Sequence, residues 1–121
     1  MYKILIVDDE IDICDFMQTF FKDSGFKVFA ALNAEDAISA VKTERPDLVL
    51  LDIRMKGMDG IAALRHIKEF DKNVKIIMVT ALDDQEKMHE AYRLGAVDYI
   101  TKPLVLDSLE ETVGKNLKVA I

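Results

Sequence analysis

Pro46-Asp47-Leu48-Val49-Leu50-Leu51-Asp52 sets four consecutive apolar residues between two carboxylates, directly after a proline. A strand with one wet face alternates apolar and polar residues. A run without alternation reads as a strand covered on both faces, the habit of parallel sheets. Two further runs have the same form: Ile4-Leu5-Ile6-Val7 leads into Asp8-Asp9, and Ile76-Ile77-Met78-Val79 leads into Thr80-Ala81. A weaker one, Tyr99-Ile100, leads into Thr101-Lys102-Pro103. Each run ends on a residue able to hold a phosphoryl group or a metal.

Between the runs the periodicity is helical. Residues 10–24 carry Ile13, Phe16, Met17, Phe20 and Phe21 at helical spacing, with Asp12, Asp15, Lys22 and Asp23 facing water and Gly25 at the C-cap. Residues 27–32 read as a second strand, and Asn33 caps a helix over 34–44 that Pro46 ends. Residues 2–7 and 47–52 are the first and third strands. After the turn at Lys56-Gly57-Met58, Asp59 is placed to cap a helix running to Phe70, and residues 73–80 form the fourth strand. Asp83 or Asp84 opens a helix that Gly95 closes, residues 97–100 form a fifth strand, and 104–119 a last helix with Leu106, Leu109, Val113 and Leu117 on one stripe. Five strand–helix units over residues 1–121, as one domain, predict an α/β fold with a doubly wound parallel sheet. The flavodoxin-like strand order 2-1-3-4-5 is one of its two common solutions. In that order strands one and three are neighbours, so Asp8, Asp9 and Asp52 meet beyond the strand carboxyl ends.

Composition narrows the function classes. With 121 residues, half of them apolar, the chain can bury a core without disulfides. A net charge of -6, from 16 basic and 22 acidic residues, speaks against a nucleic-acid or membrane surface. Cys14 has no internal partner, which favours a reducing compartment. Lys3 is followed by only four apolar residues before Asp8, unlike a signal peptide, and no run approaches the length of a membrane span. A cytoplasmic location is expected.

Three clustered carboxylates repel one another, and a hard divalent cation relieves the repulsion. Mg2+ takes oxygen ligands, commonly one or two carboxylates with phosphate oxygens and water. The expected ligands are Asp9, Asp52 and a backbone carbonyl just after Asp52, with Asp8 acting directly or through water. Lys102 and Mg2+ together cancel the three negative charges and leave room for a phosphoryl group on Asp52, a carboxylate nucleophile. Singly, each residue has an ordinary reading: Asp9 a helix cap, Asp52 a turn residue, Thr80 a satisfied hydroxyl, Lys102 a solvated charge. Their convergence on one sheet edge outweighs those readings, because ligands of such folds bind there. His66 and His89 read as surface residues, Cys14 as buried helix surface, and Met55 and Met58 as exposed loop residues.

At these residues the chain resembles the receiver domain of bacterial two-component response regulators. The strings are Ile4-Leu5-Ile6-Val7-Asp8-Asp9-Glu10, residues 46–52, Gly57-Met58-Asp59-Gly60, Val79-Thr80-Ala81 and Asp98-Tyr99-Ile100-Thr101-Lys102-Pro103. The resemblance implies that Asp52 accepts a phosphoryl group from a sensor histidine kinase or a histidine phosphotransfer protein. It implies that Asp8 and Asp9 organise Mg2+, with the Arg54 backbone carbonyl as a further ligand. Thr80 and Lys102 would hold phosphate oxygens, and Ala81 would leave room for the incoming group. Lys102-Pro103 matches the family's cis peptide and Tyr99 its switch aromatic, with an output face over residues 84–117. Lys56 departs from the proline that many receivers carry before Gly-Met-Asp-Gly. Arg54 and Leu82 are expected to border the line of attack and to tune phosphoryl lifetime through water access.

The leading reading is therefore a self-phosphorylating and self-dephosphorylating switch, without turnover of a separate substrate. A receiver-like interaction module that is never phosphorylated is the first rival. A haloacid-dehalogenase-like phosphatase fits less well, because strand one ends Asp8-Asp9 and no cap insertion is present. A flavin binder fits least, because Asp8-Asp9-Glu10 would repel its phosphate. The expected target is an output domain beyond residue 121 or a separate protein. A phosphorylation-dependent homodimer using Lys87, Arg93 and Asp98 stays open. Kinase specificity is expected near Ile11, Cys14, Asp15 and Gln18.

Overall fold

A computed structural model describes residues 1–81 and 84–121. Its strands are β1 (Lys3–Val7), β2 (Lys27–Ala31), β3 (Leu48–Asp52), β4 (Lys75–Thr80) and β5 (Asp98–Thr101). They form one parallel sheet in the order β2-β1-β3-β4-β5. The helices between and after them are α1 (Ile11–Asp23), α2 (Ala34–Glu44), α3 (Gly60–Phe70), α4 (Gln85–Arg93) and α5 (Leu106–Leu117).

The unalternating strands are explained by what covers them. Leu5, Val7, Val49, Leu51, Ile76 and Met78 pack on one side with Ala37 and Val41 of α2, Leu64 and Ile67 of α3, and Met88 and Ala91 of α4. Ile4, Ile6, Leu48, Leu50 and Ile77 pack on the other with Cys14, Met17 and Phe21 of α1 and Leu109, Val113 and Leu117 of α5. Both faces of β1, β3 and β4 are dry, so every position rewards an apolar side chain.

The helix starts follow the sequence. Asn33 Oδ1 accepts the Asp36 N–H at 2.8 Å, and Asp59 Oδ1 accepts the Ala62 N–H at 2.9 Å. Gly95 ends the α4 turn at φ 113, a conformation that side chains with a Cβ rarely adopt.

Three expectations need correction. Phe16 is 44% exposed, because α1 rolls onto the sheet through Cys14, Met17 and Phe21, leaving Ile13 and Phe20 at the edges of the contact. Leu106 is also exposed, since it stands in the first turn of α5 ahead of the buried stripe. Met55 is buried, because the loop after β3 folds back over the α3 side of the sheet. No helix among the described residues is long and apolar enough to cross a membrane.

Candidate functional site

Asp52 is the last residue of β3, paired in register with Val79 of β4 and only 4% exposed. Asp8 follows β1 and is completely buried. Lys102 follows β5, and its ammonium donates to Asp52 Oδ2 at 3.2 Å while lying 3.1 Å from Asp8 Oδ2. The sheet order makes this meeting unavoidable: β1 and β5 flank the β3–β4 pair, and all four strands point the same way.

Asp8 Oδ1 accepts the Glu10 N–H at 2.9 Å. Asp8 Oδ2 is enclosed and faces the Lys102 ammonium as an ion pair, and among the described residues it has no hydrogen-bond donor. Asp9 Oδ2 accepts the Lys56 N–H at 3.2 Å, and the Arg54 N–H donates to Asp52 Oδ1 at 3.3 Å.

Burial pushes the Asp52 carboxyl up to about 6, the Asp8 charge pushes the same way, and Lys102 restrains the rise. Burial works against the Lys102 ammonium, but Asp52 and Asp8 outweigh it and hold its pKa above the ordinary lysine value. The Cys14 thiol is pushed up to about 11, first by burial and then by Asp8, and it donates to the Asp8 carbonyl at 3.2 Å. Such a thiol is unreactive. Being buried, Cys14 is also removed from the residues expected to meet a kinase.

Carboxylate oxygens of Asp8, Asp9 and Glu10 lie within 4.8 Å of one another. A set of carboxylate oxygens fits a hard divalent cation, and the buried Asp8 Oδ2 has no hydrogen-bond donor among the described residues. Glu10 lies in this group although it is not among the expected ligands. Asp52 joins the group through the shared Lys102 ammonium, and Arg54 stands two residues beyond Asp52 in the loop after β3.

Thr80, at the end of β4, is 3% exposed, and its hydroxyl donates to the Ala81 carbonyl at 3.1 Å. A cavity of about 210 Å³ is lined by Glu10, Asp52, Ile53, Arg54, Thr80, Ala81, Asp84 and Lys102. Thr80, Ala81 and Asp84 also wall a second cavity, about 230 Å³, under α4 with Met88, His89, Tyr92, Tyr99 and Thr101. Tyr99 is exposed, its ring edge-on to Tyr92 at 6.3 Å between centroids. The Lys102–Pro103 peptide is cis. Leu82, and Asp83 as an opener of α4, lie outside the described residues.

Asp84 departs from its expected cap role. Its side chain makes no cap bond to α4. Both carboxylate oxygens instead accept from Arg54, Oδ2 from Nε at 2.8 Å and Oδ1 from Nη2. The Arg54 hydrogen bond is the main cause that holds the Asp84 carboxyl below its ordinary value, against its own burial. Lys87 pairs with Asp59 at 3.8 Å, and Asp98 with Lys115 at 3.1 Å and Asn116 Nδ2 at 3.0 Å, so these charges have partners within the chain. Only the position of Asp84 after β4 pointed to the edge, and nothing in the sequence linked it to a residue thirty positions earlier.

The family model described as "Response regulator receiver domain" matches residues 4–114. The chain is 40% identical over 115 residues to "Sporulation initiation phosphotransferase F" of Bacillus subtilis (strain 168), covering 95% of this chain and 93% of that protein. It is 41% identical over 114 residues to "Transcriptional regulatory protein ZraR" of Salmonella typhimurium, covering 94% of this chain but 26% of that protein. Among solved structures, a CheY-like response regulator receiver domain protein from Methanospirillum hungatei JF-1 superposes with a TM-score of 0.93 at 30% identity, covering 98% of this chain and 94% of that one.

Proposed function

The chain belongs to the response regulator receiver domain family, and from that premise we propose that it is a phosphorylation-controlled switch with Asp52 as its phosphoacceptor. The observation that carries the reading is a buried aspartate at the carboxyl edge of β3, gripped by Lys102 and adjoining the Asp8-Asp9-Glu10 cluster. One Asp52 carboxylate oxygen attacks the phosphorus of a phosphohistidine on a sensor kinase or phosphotransfer protein. The P–N bond breaks, and its electron pair returns to the imidazole. In hydrolysis, water attacks phosphorus, the Asp52 O–P bond breaks, and phosphate leaves as the carboxylate is restored.

Asp52 must be ionised to attack, and a pKa of about 6 leaves it mostly so near neutral pH. Lys102 is placed to pair with a phosphoryl oxygen. The Thr80 hydroxyl would leave the Ala81 carbonyl for another, drawing the loop after β4 toward the site and opening space that Tyr99 can enter. Only such state-dependent contacts can shift a two-state equilibrium. Asp8, Asp9 and Asp52, with the Arg54 carbonyl and with Glu10 in reach, would hold Mg2+. When bound, the ion supplies charge neutralisation at the phosphoryl oxygens.

Metal addition is the first test. Mg2+ at about 100 times its Kd raises the unfolding free energy by ~2.7 kcal/mol. Thermal unfolding with and without Mg2+ reads the gain, which Asp9→Asn should abolish; an equal gain in that variant would remove Asp9 from the ligands. Acceptor chemistry is tested by Mg2+-dependent beryllofluoride uptake, lost in Asp52→Ala. Retention in that variant would favour a receiver-like module that is not phosphorylated at this residue.

The chemistry acts on the chain's own residue, as befits a signalling domain. Ile11, 59% exposed at the start of α1 beside the site, with Asp15 and Gln18, would meet the phosphodonor. The output face would be α4, β5 and α5. The chain spans about a quarter of ZraR, so an output domain is one destination of the signal, and a separate target is the other. In a homodimer, Lys87 and Asp98 would first have to leave Asp59 and Lys115. A cytoplasmic site follows from the phosphodonor proposed.

A further inference from the structure

The Arg54–Asp84 pair joins the loop after β3 to the N-terminus of α4, and both residues line the Asp52 cavity. The Arg54 side chain is 64% exposed, whereas that of Asp84 is 6% exposed and spends both oxygens on the guanidinium. Asp84 stands at the N-cap of α4, yet its φ of -99 and ψ of 41 leave the extended conformation that caps adopt, and it gives no side-chain bond to the helix. Asn33 and Asp59, at the equivalent positions of α2 and α3, are extended and do cap. In this conformation Asp84 holds Arg54 and does not cap α4. It also walls both the Asp52 cavity and the cavity beside Tyr99.

We propose that Asp84 is a positioning residue which holds Arg54 in the unphosphorylated state, surrenders it to the phosphoryl group on Asp52, and then caps α4. The inference rests on Asp52 as phosphoacceptor. A phosphoryl group brings about one further negative charge to a cavity that Arg54 already lines. It also offers oxygens in the spacing a guanidinium binds bidentately. Transfer of Arg54 releases the Asp84 carboxylate, whose reach as a cap is to the N–H groups of Glu86 and Lys87. The site thus gains a second connection to α4, independent of the Thr80 hydroxyl.

The test uses Mg2+ with beryllofluoride, followed by 19F NMR titration and amide hydrogen exchange on the whole chain. Asp84→Asn keeps the shape and the capping oxygen but weakens the hold on Arg54, so beryllofluoride binds about tenfold tighter. In an Arg54→Ala background the same change gives no tightening. Equal tightening in both backgrounds would mean that Asp84 acts only as a repelling charge, and would overturn the proposal. In Arg54→Ala without ligand, the Glu86 and Lys87 amides already exchange slowly, as they do in the wild-type protein only after beryllofluoride. Unchanged exchange there would also overturn it. Failure of the wild-type protein to bind beryllofluoride would overturn the Asp52 reading and the exchange of partners with it. Normal binding that Asp84→Asn leaves unaltered would overturn the exchange alone.

Discussion

Asp52→Asn stabilises the metal-free protein by roughly 3 kcal/mol near neutral pH, while abolishing phosphoryl uptake. The wild-type carboxyl is raised from 3.8 to about 6, first by burial and next by Asp8. Between those values the folded state holds more protons than the unfolded chain, so stability falls as pH rises through the window. The destabilisation is absent below the unfolded pKa and complete above the folded one. Asparagine carries no charge to bury, and Lys102 keeps Asp8 as its partner in the variant. Urea unfolding in EDTA should show wild type weakening from about pH 4 to pH 7 relative to the variant. Parallel curves would mean that the site does not store this repulsion. Loss of function with a gain of stability marks a residue placed for chemistry at the expense of the fold.

Gly60→Ala should cost at least ~3 kcal/mol and loosen the site. A Cβ on Gly60 would lie 2.1 Å from the Asp52 carbonyl oxygen, 2.7 Å from the Ile53 Cα and 2.9 Å from the Asp52 carbonyl carbon. These are backbone atoms at the end of β3, so they cannot swing aside as a flexible side chain can. The Gly60 N–H also donates to the Ile53 carbonyl at 2.7 Å, which seats the first turn of α3 on the strand end. Lifting α3 would displace Asp52 itself. Gly57→Ala is the control: it has φ 81 but open space around it, so it should lose only ~1 kcal/mol from backbone conformation. Urea titration of both variants decides, and equal losses would refute the close approach.

The buried strands were legible because a sheet covered on both faces imposes a pattern that few other environments produce. The ends of β1, β3, β4 and β5 could then be placed at one edge from topology alone, which brought Asp8, Asp52 and Lys102 together before any geometry was known. Asn33 and Asp59 were legible for a different reason: a cap needs only its own helix. The roll of α1 was not. Six apolar residues and Cys14 cover more of that helix than the sheet can bury, and which of them turn inward depends on the shape of the surface beneath. Phe16 lost that competition. The partner of Arg54 was hidden for a related reason. Sequence places the loops after β3 and β4 at the same edge, but not which cation meets which anion there. Glu10 was missed as a candidate metal ligand because Asp8, Asp9 and Asp52 already balanced the charge of Lys102 and Mg2+.

The most direct measurement is the intact mass of the wild-type chain after incubation with Mg2+ and acetyl phosphate, followed by borohydride reduction and sequencing of the modified residue. The account predicts a gain of one phosphoryl group that EDTA prevents, with reduction placing homoserine at position 52. An unchanged mass in the presence of Mg2+, or homoserine at Asp8 or Asp9, would contradict it.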